Sequence, residues 1–321
     1  MKIEEYRTAF LTYLKRDISA KEPRNLYNPI NYIMTLGGKR MRPVLVLIGC
    51  HLFSDEFEKA MEAAMSVEMF HNFTLIHDDI MDSAGLRRGK ETVHKKWNLN
   101  TGILSGDALM IMSNQRLEAY EGPIFKSLIT LYNKTALEVC EGQQLDIDFE
   151  GKTDVKLEEY IKMISFKTAV LVGAALKMGS IIGQADHKDQ QRVYDFGLNL
   201  GIAFQLQDDF LDTYGGEDFG KRIGGDILEG KKTFLYIKAL EASNEDDKNK
   251  LLSLYEPASD QRNKIKDVKS IFNKYNVDKM LLEKIEAYTK AALSDIDGLS
   301  IALEKKKLLK EFALNLMKRT T

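Results

Sequence analysis

Two short stretches of the chain bring together residue types that do chemistry. HNFTLIHDDIMD ends an apolar run with Asp78, Asp79 and Asp82, and GIAFQLQDDFLD repeats the design about 130 residues later with Asp208, Asp209 and Asp212. At about 100° per residue, His71, Thr74, Asp78 and Asp82 fall within about 80° of one another on a helix, so one stripe turns from apolar to acidic at its C-terminal end. Negative charge there opposes the helix macrodipole, and like charges at i,i+4 cost roughly 0.2–0.5 kcal/mol more. A hard divalent cation is the simplest compensation. Mg²⁺ typically takes one or two carboxylates and fills its other positions with phosphate oxygens. One such motif is a weak signal, because acidic helix ends are common; two copies, each after an apolar run, are a much stronger one. Gln205 and Gly201 share the second stripe, and the missing side chain at Gly201 lets a ligand or another helix come close.

Phosphate also needs cations, and these flank both acidic motifs. GGKRMRP supplies Lys39, Arg40 and Arg42, and LRRGKETVH places Arg87 and Arg88 just beyond Asp82. Adjacent guanidiniums suit a diphosphate, since each can make a bidentate contact. Lys167 and Thr168 lie inside an apolar helical run, where a solvated lysine is less comfortable. After the second motif come Lys221 and Lys231, in a stretch whose Gly215, Gly216, Gly220, Gly224, Gly225 and Gly230 predict a mobile lid. Singly, each cation also reads as an ordinary surface charge; the pattern lies in their company.

The elements that must position these residues are helices. Between Pro43 and Pro257 the only proline is Pro123, and the long runs carry apolar residues at three and four spacings without the alternation of strands. An all-α fold follows. Breaks are expected at Lys21 to Pro23, Ser54-Asp55, Ser83 to Thr92, Gly122-Pro123, Gly151 to Asp154, Gly183 to Asp189, Gly215 to Gly230 and around Pro257. No repeat or linker is visible, so residues 1–321 read as one helical domain. The 44% hydrophobic content supports a substantial core. A net charge of −2, from 46 basic and 48 acidic residues, gives no global field for nucleic acid or an anionic membrane. Two cysteines make a disulfide framework improbable and fit a reducing compartment, with the cytoplasm as the expected location. No uninterrupted apolar run reaches the roughly 18 residues of a membrane span.

With these residues in place, the chain resembles the trans (all-E) polyprenyl diphosphate synthase family. The matching blocks run in order from Gly37 to Thr233, about three fifths of the chain: GGKRMRP, LIHDDIMD with LRRG following, Gly106-Asp107, GQQLD from Gly142 to Asp146, KTA, FQLQDDFLD and GKRIGGDILEGKKT. The resemblance implies an isoprenoid synthase bundle of long antiparallel helices around a central cavity, usually a homodimer. It implies that Asp78 and Asp82 bind two Mg²⁺ ions and Asp208 a third, all bridging an allylic diphosphate, with Asp79, Asp209 and Asp212 in support. Arg87, Lys167, Lys221 and Lys231 would contact that diphosphate, whereas Lys39, Arg42, His71 and Arg88 would hold isopentenyl diphosphate. Thr168, Gln205, Gln143 and Asp146 match positions lining the reaction centre. Ionisation of the allylic diphosphate would be followed by attack of the isopentenyl double bond, with the departing diphosphate taking the proton, so no side chain is assigned as general base.

Product length is expected to depend on Phe73 and Thr74, about 7.5 and 6 Å of helix rise before Asp78. In the family, an aromatic at the first position without a bulky partner at the second resembles geranylgeranyl (twenty-carbon) synthases; aromatics at both resemble farnesyl (fifteen-carbon) enzymes. The wheel turns Phe73 about 140° from Asp78, so an ordinary core role for Phe73 and a longer product stay open. Other readings are disfavoured. A class I terpene cyclase normally has Asn or Asp with Ser/Thr and Glu in its second metal motif, and a metal phosphohydrolase would need a second His-Asp pair to match His77-Asp78. A non-catalytic regulatory subunit would typically lack one acidic motif or the basic residues.

Overall fold

The computed structural model describes residues 2–215, 223–256 and 262–318. In chain order the elements are α1 (Ile3–Asp17), α2 (Arg24–Thr35), α3 (Met41–His51), α4 (Met61–Met81), β1 (Leu86–Arg87), β2 (Lys90–Glu91), α5 (Val93–Lys96), α6 (Leu99–Gln115), α7 (Gly122–Glu150), α8 (Leu157–Ile164), α9 (Val170–Ile182), α10 (His187–Tyr214), α11 (Gly225–Glu229), α12 (Phe234–Ala242), α13 (Glu245–Leu254), α14 (Lys264–Lys274), α15 (Val277–Asp297) and α16 (Leu303–Met317). The fold is all-helical, as expected, with one local exception. Inside the expected Ser83 to Thr92 break, β1 and β2 pair antiparallel, Leu86 with Glu91 and Arg87 with Lys90. Their two-residue turn, Arg88-Gly89, has φ of 53° and 73°. Positive φ at both positions gives the turn whose twist matches that of paired strands, and Gly89 takes it without steric cost.

The chain divides into two compact units, residues 1–134 with 174–193 and residues 135–173 with 194–321. In the first, α4 packs along α6 and α3, and α2 lies on α6. The α3 stretch from Val44 to Ile48 is buried on every side, which explains its unbroken apolar sequence. Tyr6, Phe10 and Leu14 of α1 complete this core at i, i+4, i+8 spacing. The second unit closes around Tyr160, Leu206, Phe234 to Ile237, Leu251, Phe272 and Leu281.

The 26-residue helical run Leu157–Ile182 is long and apolar enough to cross a membrane, but 72% of its apolar window is buried inside the protein, as a core helix should be. Within this run Ser165–Ala169 forms a π-helical turn: the Val170 N–H donates to the Ser165 carbonyl five residues back. The Ser165 hydroxyl, meanwhile, donates to the Ile161 carbonyl at 2.6 Å.

Candidate active site

The first acidic motif sits on the last turn of α4. Asp82 is exposed, Asp78 is half-buried, and Asp79 is only 1% exposed. Asp79 is committed to Arg87, whose Nε lies 2.8 Å from both carboxylate oxygens and whose second amino nitrogen is 2.7 Å from one of them. The odd partition of the Asp-Asp pair thus has a cause. Neighbouring helix positions point about 100° apart, so one carboxylate faces outward while the other turns inward and anchors a cation.

The arginines of the GGKRMRP and LRRG blocks gather around His71. Its Nε2 is 3.1 Å from an Arg42 amino group. Arginine can only donate, so Nε2 accepts and the imidazole proton belongs on Nδ1. Burial, then the charges of Arg42, Arg88, Arg87 and Arg40, hold the His71 pKa well below its ordinary 6.5. Arg40 is different in kind: it is buried, pairs with buried Glu68, and donates to the Met34 and Leu36 carbonyls at 2.7 and 2.6 Å. It shapes the GGKRMRP loop from within, while Lys39 lies exposed. Arg88 donates to the Leu36 carbonyl at 3.3 Å and to the Gly37 carbonyl. Four guanidiniums near one neutral imidazole, with Glu68 and Asp79 as paired carboxylates, form a region ready for a polyanion.

A neutral His71 has a consequence for stability. Its pKa is depressed in the folded state, so its contribution is complete above about pH 6.5 and is lost as pH falls, when the unfolded imidazole takes up a proton that the folded one refuses. The slope approaches about 1.4 kcal/mol per pH unit below 6.5. His71→Gln should remove that slope from the difference between denaturant melts at pH 6.5 and pH 5; equal slopes in both proteins would mean an ordinary imidazole.

Phe73 is buried, its ring 5.6 Å from Phe70 and 4.8 Å from His77. Phe70 lies edge-on to Tyr132 at 5.6 Å. Thr74 donates to the His71 carbonyl at 2.9 Å. The matched pair Gly106-Asp107 also finds a role, because a Cβ at residue 106 would collide with the His77 Nε2 and lie 2.5 Å from its Cδ2. Gly106 makes room for the imidazole, whose Nε2 is 3.2 Å from the Ile103 carbonyl and 3.8 Å from Asp107.

In the second unit, Lys167 and Thr168 occupy the π turn. Lys167 pairs with Asp146 of α7 at 2.6 Å, and Thr168 donates to Gln205 at 3.3 Å. Gln205 donates onward to Asp209 at 3.3 Å, and the buried Tyr160 hydroxyl donates to the other Asp209 oxygen. Burial and the neighbouring Asp226 push the Asp209 carboxyl well above the usual range, against the lowering effect of these two donors. Asp209 is therefore an internal brace, while Asp208 stays half-buried. Gln143 is also half-buried on α7. Gly201 admits a helix rather than a ligand, because its missing Cβ would lie 2.7 Å from the Ala169 Cα.

Asp212 accepts the Asp226 backbone N–H at 3.0 Å, and its own carbonyl accepts from Gly224 at 2.7 Å. The expected lid is in this part the short helix α11, while Gly216, Gly220 and Lys221 lie outside the described residues. Lys231 follows α11 and pairs with Glu229 at 2.9 Å and Asp226 at 3.4 Å. Arg40, expected among the phosphate cations, is instead a buried brace, and sequence reasoning missed Asp226, Tyr160 and Glu68. Asp226 sits inside the GGDILEGKKT block, whereas Tyr160 and Glu68 look from sequence like any residue on a helix.

Among the described residues no three His, Cys, Asp or Glu side chains stand close enough to hold an ion by themselves. Each motif by itself offers a few hard carboxylate oxygens. Such donors fit Mg²⁺, which keeps water or phosphate oxygens in most of its positions, better than an ion that demands a full protein cage.

The polyprenyl synthetase family model matches residues 23–274. The chain is similar to a geranylgeranyl diphosphate synthase of Sulfolobus acidocaldarius, 38% identical over 292 residues that cover 89% of this chain and 88% of that one. It is 43% identical over 227 residues to a geranylgeranyl diphosphate synthase of Saccharolobus solfataricus, covering 69% and 68%. A crystal structure of a geranylgeranyl pyrophosphate synthase superposes with a TM-score of 0.94 at 49% identity, covering 100% of both chains.

Proposed function

The chain belongs to the polyprenyl synthetase family and is a polyprenyl diphosphate synthase, and from that premise we propose that it condenses isopentenyl diphosphate with an allylic diphosphate to give geranylgeranyl diphosphate. The observation that carries the twenty-carbon reading is the buried Phe73 ring followed by the small Thr74. The similarity to two proteins named geranylgeranyl diphosphate synthases supports it.

In this reading Asp78 and Asp82 of the first motif and Asp208 of the second hold the Mg²⁺ ions of the allylic diphosphate, with Asp79, Asp209 and Asp212 fixing their neighbours. Bound there, Mg²⁺ supplies electrostatic stabilisation of the leaving diphosphate. Arg87, Lys167, Lys221 and Lys231 share that task, and Thr168 and Gln205 line the reacting end beside Gln143 and Asp146. Arg42, Arg88 and Lys39 bind isopentenyl diphosphate. His71, neutral and accepting from Arg42, orients that guanidinium without adding charge of its own. Two polyanions held side by side turn a bimolecular encounter into a positioned one, which is the protein's main contribution.

Residues 1–321 act as one enzyme in this proposal, a homodimer located in the cytoplasm. Leu104 and Ile111, seven residues apart on α6 and about 60% exposed, support an α6 face that a second copy covers. Mass spectrometry of the products tests the length assignment. Wild-type protein should stop at twenty carbons, and Phe73→Ala, which removes a ring from the Phe70–Phe73–His77 cluster, should move most product to twenty-five carbons or more. An unchanged distribution would make Phe73 ordinary core.

A further inference from the structure

The hairpin bearing Arg87 and Arg88 is held by a different contact on each strand. On β1, Arg87 grips Asp79 of α4 through both carboxylate oxygens. On β2, the carbonyl of Glu91 accepts the Tyr32 hydroxyl from α2 at 2.8 Å. The Tyr32 ring is itself clamped: it meets Trp97 edge-on at 5.3 Å, and the Lys96 ammonium lies 3.9 Å from its centroid and 5.1 Å from that of Trp97. At the loop base, the Thr92 hydroxyl donates to the Ala84 carbonyl at 2.7 Å. Arg88 docks the turn between the strands through the Leu36 and Gly37 carbonyls just beyond α2.

The contacts differ in what substrate does to them. A diphosphate that recruits the Arg88 guanidinium competes with the two carbonyls it now serves, because a phosphate oxygen is the stronger acceptor. Both carbonyls bond the same Arg88 amino group, so drawing that group to substrate weakens the hairpin's hold at the turn when Arg88 must be well placed. The Tyr32 bond uses no charge that substrate needs, and it fastens the strand to the same helix whose C-terminal carbonyls Arg88 gives up.

We propose that Tyr32 is a positioning residue for isopentenyl diphosphate: through Glu91 it keeps the hairpin against α2 while Arg88 passes from the Leu36 and Gly37 carbonyls to the substrate. The inference rests on the assignment of Arg88 to isopentenyl diphosphate made above.

Tyr32→Phe removes the hydroxyl and leaves the ring for Trp97 and Lys96. Its KM for isopentenyl diphosphate, and the Kd for that compound alone by calorimetry, should rise about fivefold, the effect of one neutral hydrogen bond. The kcat and the KM for the allylic substrate should stay within about twofold. Trp97 is the chain's single tryptophan, so an unchanged emission maximum shows that the clamp is still packed. Isopentenyl diphosphate binding within about twofold of wild type overturns the inference. So does a joint loss in kcat and both KM values, or a variant that no longer unfolds cooperatively, since either makes Tyr32 a general structural residue. Wild-type protein that binds isopentenyl diphosphate but makes no prenyl diphosphate would overturn the proposed reaction instead, and the binding comparison still decides the role of Tyr32.

Discussion

Asp78→Ala should lower the condensation rate by on the order of 10³-fold while leaving the protein folded. The magnitude follows from what the carboxylate is asked to do, since loss of one preorganised electrostatic contact to developing charge typically costs 10²–10³-fold. Loss of a metal ligand, the role proposed for Asp78, belongs at the upper end of that range. Stability should hold because Asp78 is half-buried at the C-terminal end of α4, where removing a negative charge relieves an unfavourable interaction with the helix dipole. Steady-state turnover and a thermal melt on the same preparation separate the two effects. A variant with near wild-type turnover would remove the first motif from the chemistry.

Gly142→Ala should be the most damaging small substitution in the second unit. A Cβ there would collide with the Lys167 backbone nitrogen and stand 2.6 Å from the Phe166 carbonyl carbon and 2.7 Å from the Lys167 Cα. Backbone atoms cannot rotate away, so α7 and the π turn must separate, at a cost of about 3 kcal/mol. That corresponds to a Tm lower by on the order of 5 °C. Lys167 and Thr168, proposed to contact the substrate, ride on the displaced turn, so turnover should fall about 10²-fold even well below the new Tm, as expected when positioning groups are moved by about an ångström. Calorimetry and turnover at 25 °C check both; an unshifted Tm would mean that α7 and the π turn part without strain.

These two positions illustrate what the sequence makes legible. The acidic stripes, the basic flanks and the helical class follow from residue type and period, because carboxylates at i and i+4 after apolar runs leave few alternatives. The inward and outward fates of Asp79 and Asp78 were less accessible, since both residues read alike until Arg87 and the hairpin supply an inside. The hairpin itself was missed because Arg-Gly is not among the favoured pairs for a two-residue turn. The π turn under Lys167 leaves no composition signal at all, and it becomes intelligible only beside Gly142.

Helix boundaries after Glu241 went unread although their markers were present. Asn244 caps α13 by accepting the Asp247 N–H at 2.9 Å, and Asn276 precedes α15 with φ of 52°. Asn98 likewise caps α6 through Thr101 at 2.8 Å. Asparagine suits these positions because its short side chain satisfies free N–H groups and it tolerates positive φ.

The most direct measurement is incubation of the purified protein with isopentenyl diphosphate, an allylic starter and Mg²⁺, with a parallel reaction in EDTA, followed by mass spectrometry of the prenyl diphosphates. Formation of a twenty-carbon product from dimethylallyl diphosphate only when Mg²⁺ is present is the predicted result. Absence of any elongated product with dimethylallyl, geranyl or farnesyl diphosphate as starter would contradict the account.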